Sequence, residues 1–315
     1  MTLSPMAQAI LVAILAGVTT ALLSGLLTPG AMSVALFSLI APTPLFIAGF
    51  GWHPLVAALS GIIAALTAQM VSGTTAALMI TGMLVVPTFG ITLLSERLFG
   101  NYSGRPDKDG IDLGRLAVTI VLYVGIAGAV VGMIMEPDFA QLEMRVRKAV
   151  EFAFAATGLN ESFAQADAAN LARLLDLIAS IMLPMSALIS LMTLVVSSTL
   201  GVQIADRADR LRFARPDFRR FRLPGGSLIL LTAALFIASR AGYLGLLGEI
   251  VALGLVFFYM LQGFAVLHAR TIGFGGRGLM LAAAWLVVIL FTIPAVVFIL
   301  VGMFDHLFDF RRGRL

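Results

Sequence analysis

Long apolar runs, separated by short polar or glycine- and proline-containing turns, dominate the hydrophobic pattern of the chain. A helix that crosses the hydrocarbon core of a bilayer needs about 20 mostly apolar residues, and most of the runs have roughly this length. The pattern therefore predicts an all-α, polytopic transmembrane helical bundle, a single integral membrane domain over residues 1–315. The predicted full spans are residues 6–26, 31–50, 55–72, 74–96, 116–135, 174–200, 244–267 and 279–304.

One further apolar run, residues 223–239, is short, and it decides between eight and nine spans. If this run crosses the membrane, there are nine spans, and the C-terminus and the loop before residue 223 lie on opposite sides of the membrane. If it is a re-entrant half-helix, there are eight spans and the C-terminus lies on the same side. Asp217–Arg220 and Asp309–Arg312 both read Asp-Phe-Arg-Arg, which slightly favours the same side. Both alternatives stay open.

Residues 136–172 form a polar insert that is predicted to contain one surface-lying amphipathic helix. Apolar residues at three- and four-residue steps mark one face of this helix, and charged residues mark the opposite face. A helix of this kind is typical of the membrane–water interface. The apolar set is Leu142, Val146, Ala149, Val150, Ala153 and Phe154, and the charged set is Glu143, Arg147, Lys148 and Glu151.

Basic residues are concentrated in two loops, which predicts how the bundle is oriented. The 97–115 loop holds four Lys or Arg residues and the basic loop 204–224 holds seven. Loops rich in Lys and Arg face the cytoplasm, so both loops are predicted to be cytoplasmic and the 136–172 insert extracytoplasmic. We therefore expect a multi-pass protein of the bacterial cytoplasmic (inner) membrane.

Composition excludes a soluble domain of any size. Hydrophobic residues make up 60% of the chain and charged residues only 12%, whereas a soluble domain is about half apolar and about a quarter charged. The absence of cysteine excludes a disulfide scaffold. The net charge of +4 comes from loop residues that mark topology, so we expect the lipid bilayer as a partner and no nucleic acid.

Sequence motifs for nucleotide or metal chemistry are absent. There is no G-x-x-x-x-G-K-[ST] phosphate-binding loop and no H-E-x-x-H zinc motif, and the three histidines lie far apart in the sequence. We therefore expect no enzymatic activity, no metal site and no cofactor. Energy for any uphill transport would have to come from an ion gradient or from another membrane subunit.

Polar residues inside predicted spans are candidates for ligand contacts because they are costly there. Glu249 lies near the start of its span, and Arg240 precedes it across a turn, so an interfacial pair is the alternative to a ligand-binding role. Gln262 lies deeper in the same helix, on a different face. Four hydroxyl residues also share one face of the 174–200 span, either for helix packing or as the polar wall of a ligand cavity: Ser186, Ser190, Thr193 and Ser197.

Small residues form stripes on two predicted helices. Ala9, Ala13 and Gly17 lie at four-residue steps on the first span, and the third span carries a similar stripe that includes Gly61 and Ala65. Such stripes let helix backbones approach closely. They indicate tight packing within the bundle or a docking face for a partner membrane protein, and the docking alternative is strongest for the first span.

Three segments carry a family resemblance. They are Ala41–Leu45 followed by Gly51-Trp52-His53, the segment Phe258–Gly263 running to His268, and Phe308–Arg312. With the order of the spans, they resemble the YybS-like family of uncharacterised bacterial multi-span membrane proteins. That family is distantly similar to the substrate-binding S components of energy-coupling-factor (ECF) transporters. In S components, small residues on the first helix dock a coupling subunit, which the spacing of Ala9 and Ala13 could mimic.

The absent phosphate-binding loop, the hydroxyl face and the resemblance together favour one function. We expect a solute-binding or transport component similar to ECF S components that lacks its own ATPase. The alternative is a membrane scaffold or assembly factor of the cell envelope that binds partners through the first span and the surface helix.

Overall fold

The structure is a computed structural model that describes residues 4–26, 37–99, 111–156 and 168–311. Some predictions lie outside these residues: the start of the 31–50 run, most of the 97–115 loop, residues 157–167 of the insert, and Arg312. Within the described ranges the fold is entirely helical and contains no strand. The prediction of an all-α fold is confirmed.

The helices are numbered here in chain order. Two π-helical turns, Leu22–Leu26 and Thr81–Val85, and a short 3₁₀ turn, Phe218–Arg220, accompany them. The helices are α1 (Pro5–Ala21), α2 (Thr43–Gly51), α3 (Pro54–Ser72), α4 (Thr74–Ile80), α5 (Val86–Phe99), α6 (Ile111–Met135), α7 (Phe139–Ala156), α8 (Ala168–Arg207), α9 (Ser227–Ala238), α10 (Gly242–Arg270), α11 (Arg277–Leu290) and α12 (Thr292–Phe308).

Local sequence explains where several helices begin and end. Proline opens both α1 and α3, since the first turn of a helix does not need its N–H. Ser4 caps α1 by accepting the Ala7 amide, and His53 caps α3 by accepting the Leu55 amide. α3 ends at Gly73, whose φ of 83° suits glycine and turns the chain into α4.

In the described residues, six helices are long and apolar enough to cross a membrane, which supports a multi-pass membrane protein but does not confirm eight or nine spans. The predicted span 31–50 and the undecided run 223–239 form only short helices in the described residues, Phe37–Gly51 and Ser227–Ala238. The 12 residues of α9 rise only about 18 Å, whereas the hydrocarbon core is about 30 Å thick. The six are Pro5–Ser24, Pro54–Ser72, Thr74–Phe99, Asp112–Met135, Asn170–Arg207 and Gly242–Arg270.

The predicted last span is bent by 118° between α11 and α12. Phe291 adopts an extended conformation at the bend, three residues before Pro294. Arg277, at the start of α11, donates to the carbonyl of His268 near the end of α10. α12 then runs back beside α10, and Asp305 near its end accepts a hydrogen bond from Gln262. Both ends of the bent pair therefore lie near the same end of α10.

α10 is the central helix of the bundle. In its most apolar stretch 72% of the residues are buried, compared with 22% to 33% in the other long helices. Glycines allow neighbouring helices to approach it: a Cβ on Gly125 or Gly128 of α6 would touch Val251 or Ile250 of α10.

The described ends of the two basic loops lie together at one end of the bundle, called here the basic end. Arg212 forms an ion pair of 2.8 Å with Glu96 at the end of α5. Gly114 at the start of α6 packs against the backbone of Arg222. This arrangement agrees with the prediction that both loops face the same side of the membrane.

α7 lies at the opposite end, directly after α6. Val150 is buried, and Arg147 pairs with Asp176 of α8 at 3.0 Å. Glu136 forms an ion pair of 2.6 Å with Arg145, and this pair fixes the turn between α6 and α7. The predicted amphipathic helix is therefore present, with part of its apolar face packed on α8.

Candidate functional site

Three of the four hydroxyls in the row on α8 donate hydrogen bonds to backbone carbonyls, two within α8 and one to another segment. Ser186 and Ser190 donate to carbonyls of their own helix, at 2.7 and 3.2 Å. Ser197 is fully buried and donates to the carbonyl of Leu39, which ties α8 to the segment before α2. Thr193 is buried as well. The four hydroxyls thus divide between an exposed and a buried part of α8.

Glu249 lies on the exposed side of α10, near its start. Arg240 does not pair with it in the described structure: its guanidinium lies 4.6 Å from the centre of the Phe236 ring, a cation–π contact. Because Gln262 is buried and lies further along α10, the structure does not bring these two polar residues together.

The small-residue stripe of α1 packs against α3 of the same chain. Ala13 is fully buried, Ala9 is half-buried, and a Cβ on Gly17 would overlap the carbonyl oxygen of Ser60. The stripe therefore serves the packing alternative, and its buried part is not exposed for a partner.

Gln262 belongs to a buried polar cluster at the basic end. Its side-chain N–H donates to Asp305 of α12 at 2.9 Å, and its carbonyl oxygen accepts the backbone N–H of Leu223 at 3.0 Å. Gln262 and Asp305 are both fully buried. One amide side chain thus joins α10, α12 and the loop before α9.

Arg311 completes the cluster. Its guanidinium donates to both carboxylate oxygens of Asp305, at 3.3 and 2.7 Å, and to the carbonyls of Arg219 and Phe221, at 2.8 and 2.9 Å. A planar guanidinium suits this arrangement because its N–H groups point in fixed directions. The described part of the second segment, Asp309–Arg311, therefore lies against the first segment, whereas the repeat had favoured only a location on the same side of the membrane.

Further contacts surround the cluster. Arg222 forms an ion pair of 3.2 Å with Asp309, and His306 contacts the carbonyl of Gly225 at 3.2 Å. Asp217 pairs with Arg219 at 2.7 Å in the neighbouring turn, and this side-chain hydrogen bond is the main cause of the lowered pKa of Asp217. The charges are matched, so the cluster is suited to hold segments together.

A groove of about 280 Å³ lies between α3 and the α4–α5 segment. Its deep end is at Gly61, where a Cβ would overlap Val85, and its other end is at Gln69. Gln69 donates to the hydroxyl of Thr74 at 3.2 Å across the turn between α3 and α4. The lining residues are Gly61, Ile62, Ala65, Leu66, Gln69, Ala77, Thr81 and Val85.

The π-helical turn Thr81–Val85 forms one wall of this groove. π-Helical turns are rare in proteins, and many of those that occur lie at functional sites. Ile62 and Leu66 on the other wall are more than half exposed, so the groove opens sideways to the surroundings of the bundle. This groove is therefore a candidate ligand site, with about 280 Å³ of space.

Sequence reasoning identified Gln262 but missed its partner Asp305, because 43 residues separate the two, and it also missed Arg311, which binds Asp305. The repeated Asp-Phe-Arg-Arg segments were the available signal. The groove was missed because Gly61 and Ala65 belong to a stripe that suggested helix packing or partner docking rather than a ligand site. Within the described residues, no group of three or more His, Cys, Asp or Glu side chains is placed to hold a metal ion.

Comparisons with family models, with curated proteins and with solved structures found no match to this chain.

Proposed function

We propose that the chain is a solute-binding component of a membrane transport system, similar to ECF S components, that relies on another subunit for ATP hydrolysis. The observation that carries this proposal is the groove between α3 and α4–α5. The resemblance to the YybS-like family supports the same class of protein. A scaffold would not need a ligand-sized space at the membrane-facing surface of the bundle.

The membrane setting is part of the proposal. The basic end would face the cytoplasm, because Lys- and Arg-rich loops stay on that side of a bacterial inner membrane. The shorter helices α2 and α9 and the bent pair α11–α12 would be embedded beside the six long helices, since all of them are apolar. In this arrangement the bent pair enters the membrane and returns to the basic end, and the count of eight or nine spans stays a prediction.

Thermal unfolding in the presence of candidate solutes tests the function. The purified protein in nanodiscs would be screened with vitamins, nucleobases and lipid precursors. In a separate experiment, the protein would be purified from native membranes to find a co-purifying ATPase-linked subunit. We expect one solute class to raise the unfolding temperature of the wild type but not of Ala65→Leu, which fills the groove. Ala58→Leu adds the same side chain at a half-buried position on the same face of α3, outside the groove, and should respond like the wild type.

An unresponsive protein that also lacks such a subunit would refute the transport function. If Ala65→Leu keeps the response to the solute, the ligand binds outside the groove.

The exposed side of α7 favours the scaffold as the second candidate. Met144 and Phe152 are 54% and 78% exposed, and Lys148 lies between them on the same face. A double variant, Met144→Ser with Phe152→Ser, should then lose an envelope protein that co-purifies with the wild type. Unchanged co-purification would exclude this face as the docking surface.

A further inference from the structure

We propose that the groove binds an amphiphile that has an apolar chain and an uncharged polar head and that enters from the bilayer. This inference rests on the proposed function and names the class of its ligand. It is carried by the lining of the groove, by its direction relative to the α3–α4 turn, and by the distribution of charge around it.

The body of the groove suits an apolar chain. Ile62, Ala65, Leu66, Ala77 and Val85 supply most of its surface. A hydrocarbon chain that covers these side chains would exchange contacts with bilayer lipid for contacts with a fixed, shaped surface. In the membrane such binding depends on close packing, which the small side chains at Ala65 and Ala77 permit.

The groove has a defined polar end. Gln69 lies eight residues after Gly61, so about 12 Å of helix rise separates the deep end from the polar end. Gln69 is only three residues before Ser72, where α3 ends, and Gly73 then turns the chain into α4. A ligand would therefore place its chain toward Gly61 and its head beside the turn.

The polar end offers hydrogen bonds without charge. The amide of Gln69 has two N–H groups and one carbonyl oxygen. In the described structure, one of these N–H groups donates to the hydroxyl of Thr74. No Asp, Glu, Lys or Arg occurs between residues 54 and 95, and none lines the groove. A charged head would meet no counter-ion among the described lining residues, whereas a hydroxyl, ester or amide would find donors and an acceptor.

Retention of defined lipids through purification tests this inference. The full-length protein in detergent would be incubated with monoolein, which has an uncharged glycerol head, with oleate, which has a carboxylate head, or with glycerol alone. Native mass spectrometry would count bound molecules, and thermal unfolding would report stabilisation. We expect one monoolein per protein, at least several-fold less oleate, and no glycerol.

Variants localise the bound molecule. Ala65→Leu and Ala77→Leu fill the groove from opposite walls and should each remove the bound monoolein. Ala58→Leu should retain it. Gln69→Leu should keep the chain contacts but reduce the preference for monoolein over an alkane of the same length.

Two results would overturn the inference. Oleate bound as well as monoolein would exclude selection for an uncharged head, and monoolein retained by both groove-filling variants would place the lipid elsewhere. If a water-soluble solute stabilises the wild type while monoolein does not bind, the ligand class is wrong and the transport function stands. If nothing binds and no partner subunit co-purifies, both proposals fail.

Discussion

Arg311 and Asp305 form a buried ion pair, with a distance of 2.7 Å between the guanidinium and the carboxylate and with 5% and 0% of the side chains exposed. The pair fixes the end of α12 against the loop before α9, because the same guanidinium also binds the carbonyls of Arg219 and Phe221. It explains why the C-terminal Asp-Phe-Arg segment lies at the basic end.

Removing one partner of this pair should destabilise the protein strongly. Arg311→Met leaves the Asp305 carboxylate buried without its cation, a loss that typically costs about 3–5 kcal/mol in the free energy of unfolding. The double variant Arg311→Met with Asp305→Leu should be more stable than Arg311→Met alone. Arg215→Met breaks the exposed pair with Asp206 and should cost no more than about 1 kcal/mol. Equal losses in Arg311→Met and Arg215→Met, measured by denaturant unfolding in micelles, would contradict the role of burial.

The contact between α1 and α3 should depend on the small size of Gly17. Gly17→Ala places a Cβ where the carbonyl oxygen of Ser60 lies, and overpacking of this kind typically costs about 1–3 kcal/mol. Gly90→Ala is the control because a Cβ there meets no atom within 4 Å. The unfolding temperature should fall for Gly17→Ala only. Loss of a binding partner without loss of stability would instead favour the docking role of the stripe.

The apolar pattern predicted the positions of the long helices well but not every bend and helix length. Run length identifies apolar segments, and each long helix coincides with a predicted span. Run length alone does not report a bend, such as that at Phe291, or a helix as short as α9. The bend lets α12 pack against α10 through residues far apart in the sequence, such as Phe298 and Gly263.

The candidate site was only partly predictable for the same reason. Gln262 was recognisable as a polar residue inside an apolar helix, whereas Asp305 follows the predicted last span and resembles an ordinary helix end. Its burial arises from Gln262 and Arg311, which come from different segments. Local periodicity carries no information on such contacts.

Acid should weaken the turn that precedes the cluster. The pKa of Asp217 is lowered, chiefly because Arg219 donates to its carboxylate. A carboxylate whose pKa is lower in the folded state adds stability above its unfolded pKa of about 3.9, and this stability is lost as the pH falls through the folded pKa. The wild type should therefore lose more stability than Asp217→Asn when the pH is lowered across this range. The difference should be small, because Asp217 is partly exposed, and parallel pH profiles of the unfolding temperature would contradict the assignment.

Two tyrosines of α10 should respond oppositely to loss of the hydroxyl group. Tyr243 donates toward the carbonyls of Gly132 and Glu136 and so ties α10 to the end of α6, which makes Tyr243→Phe destabilising by about 0.5–1.5 kcal/mol. The hydroxyl of Tyr259 is buried without a hydrogen-bond partner in the described structure. Tyr259→Phe removes an unsatisfied polar atom and keeps the ring, so the free energy of unfolding should be unchanged or higher. Because the substitution and the helix are the same, denaturant unfolding of the two variants compares the hydroxyl groups directly. A loss of stability in Tyr259→Phe equal to that in Tyr243→Phe would show that the Tyr259 hydroxyl has a partner, such as a buried water.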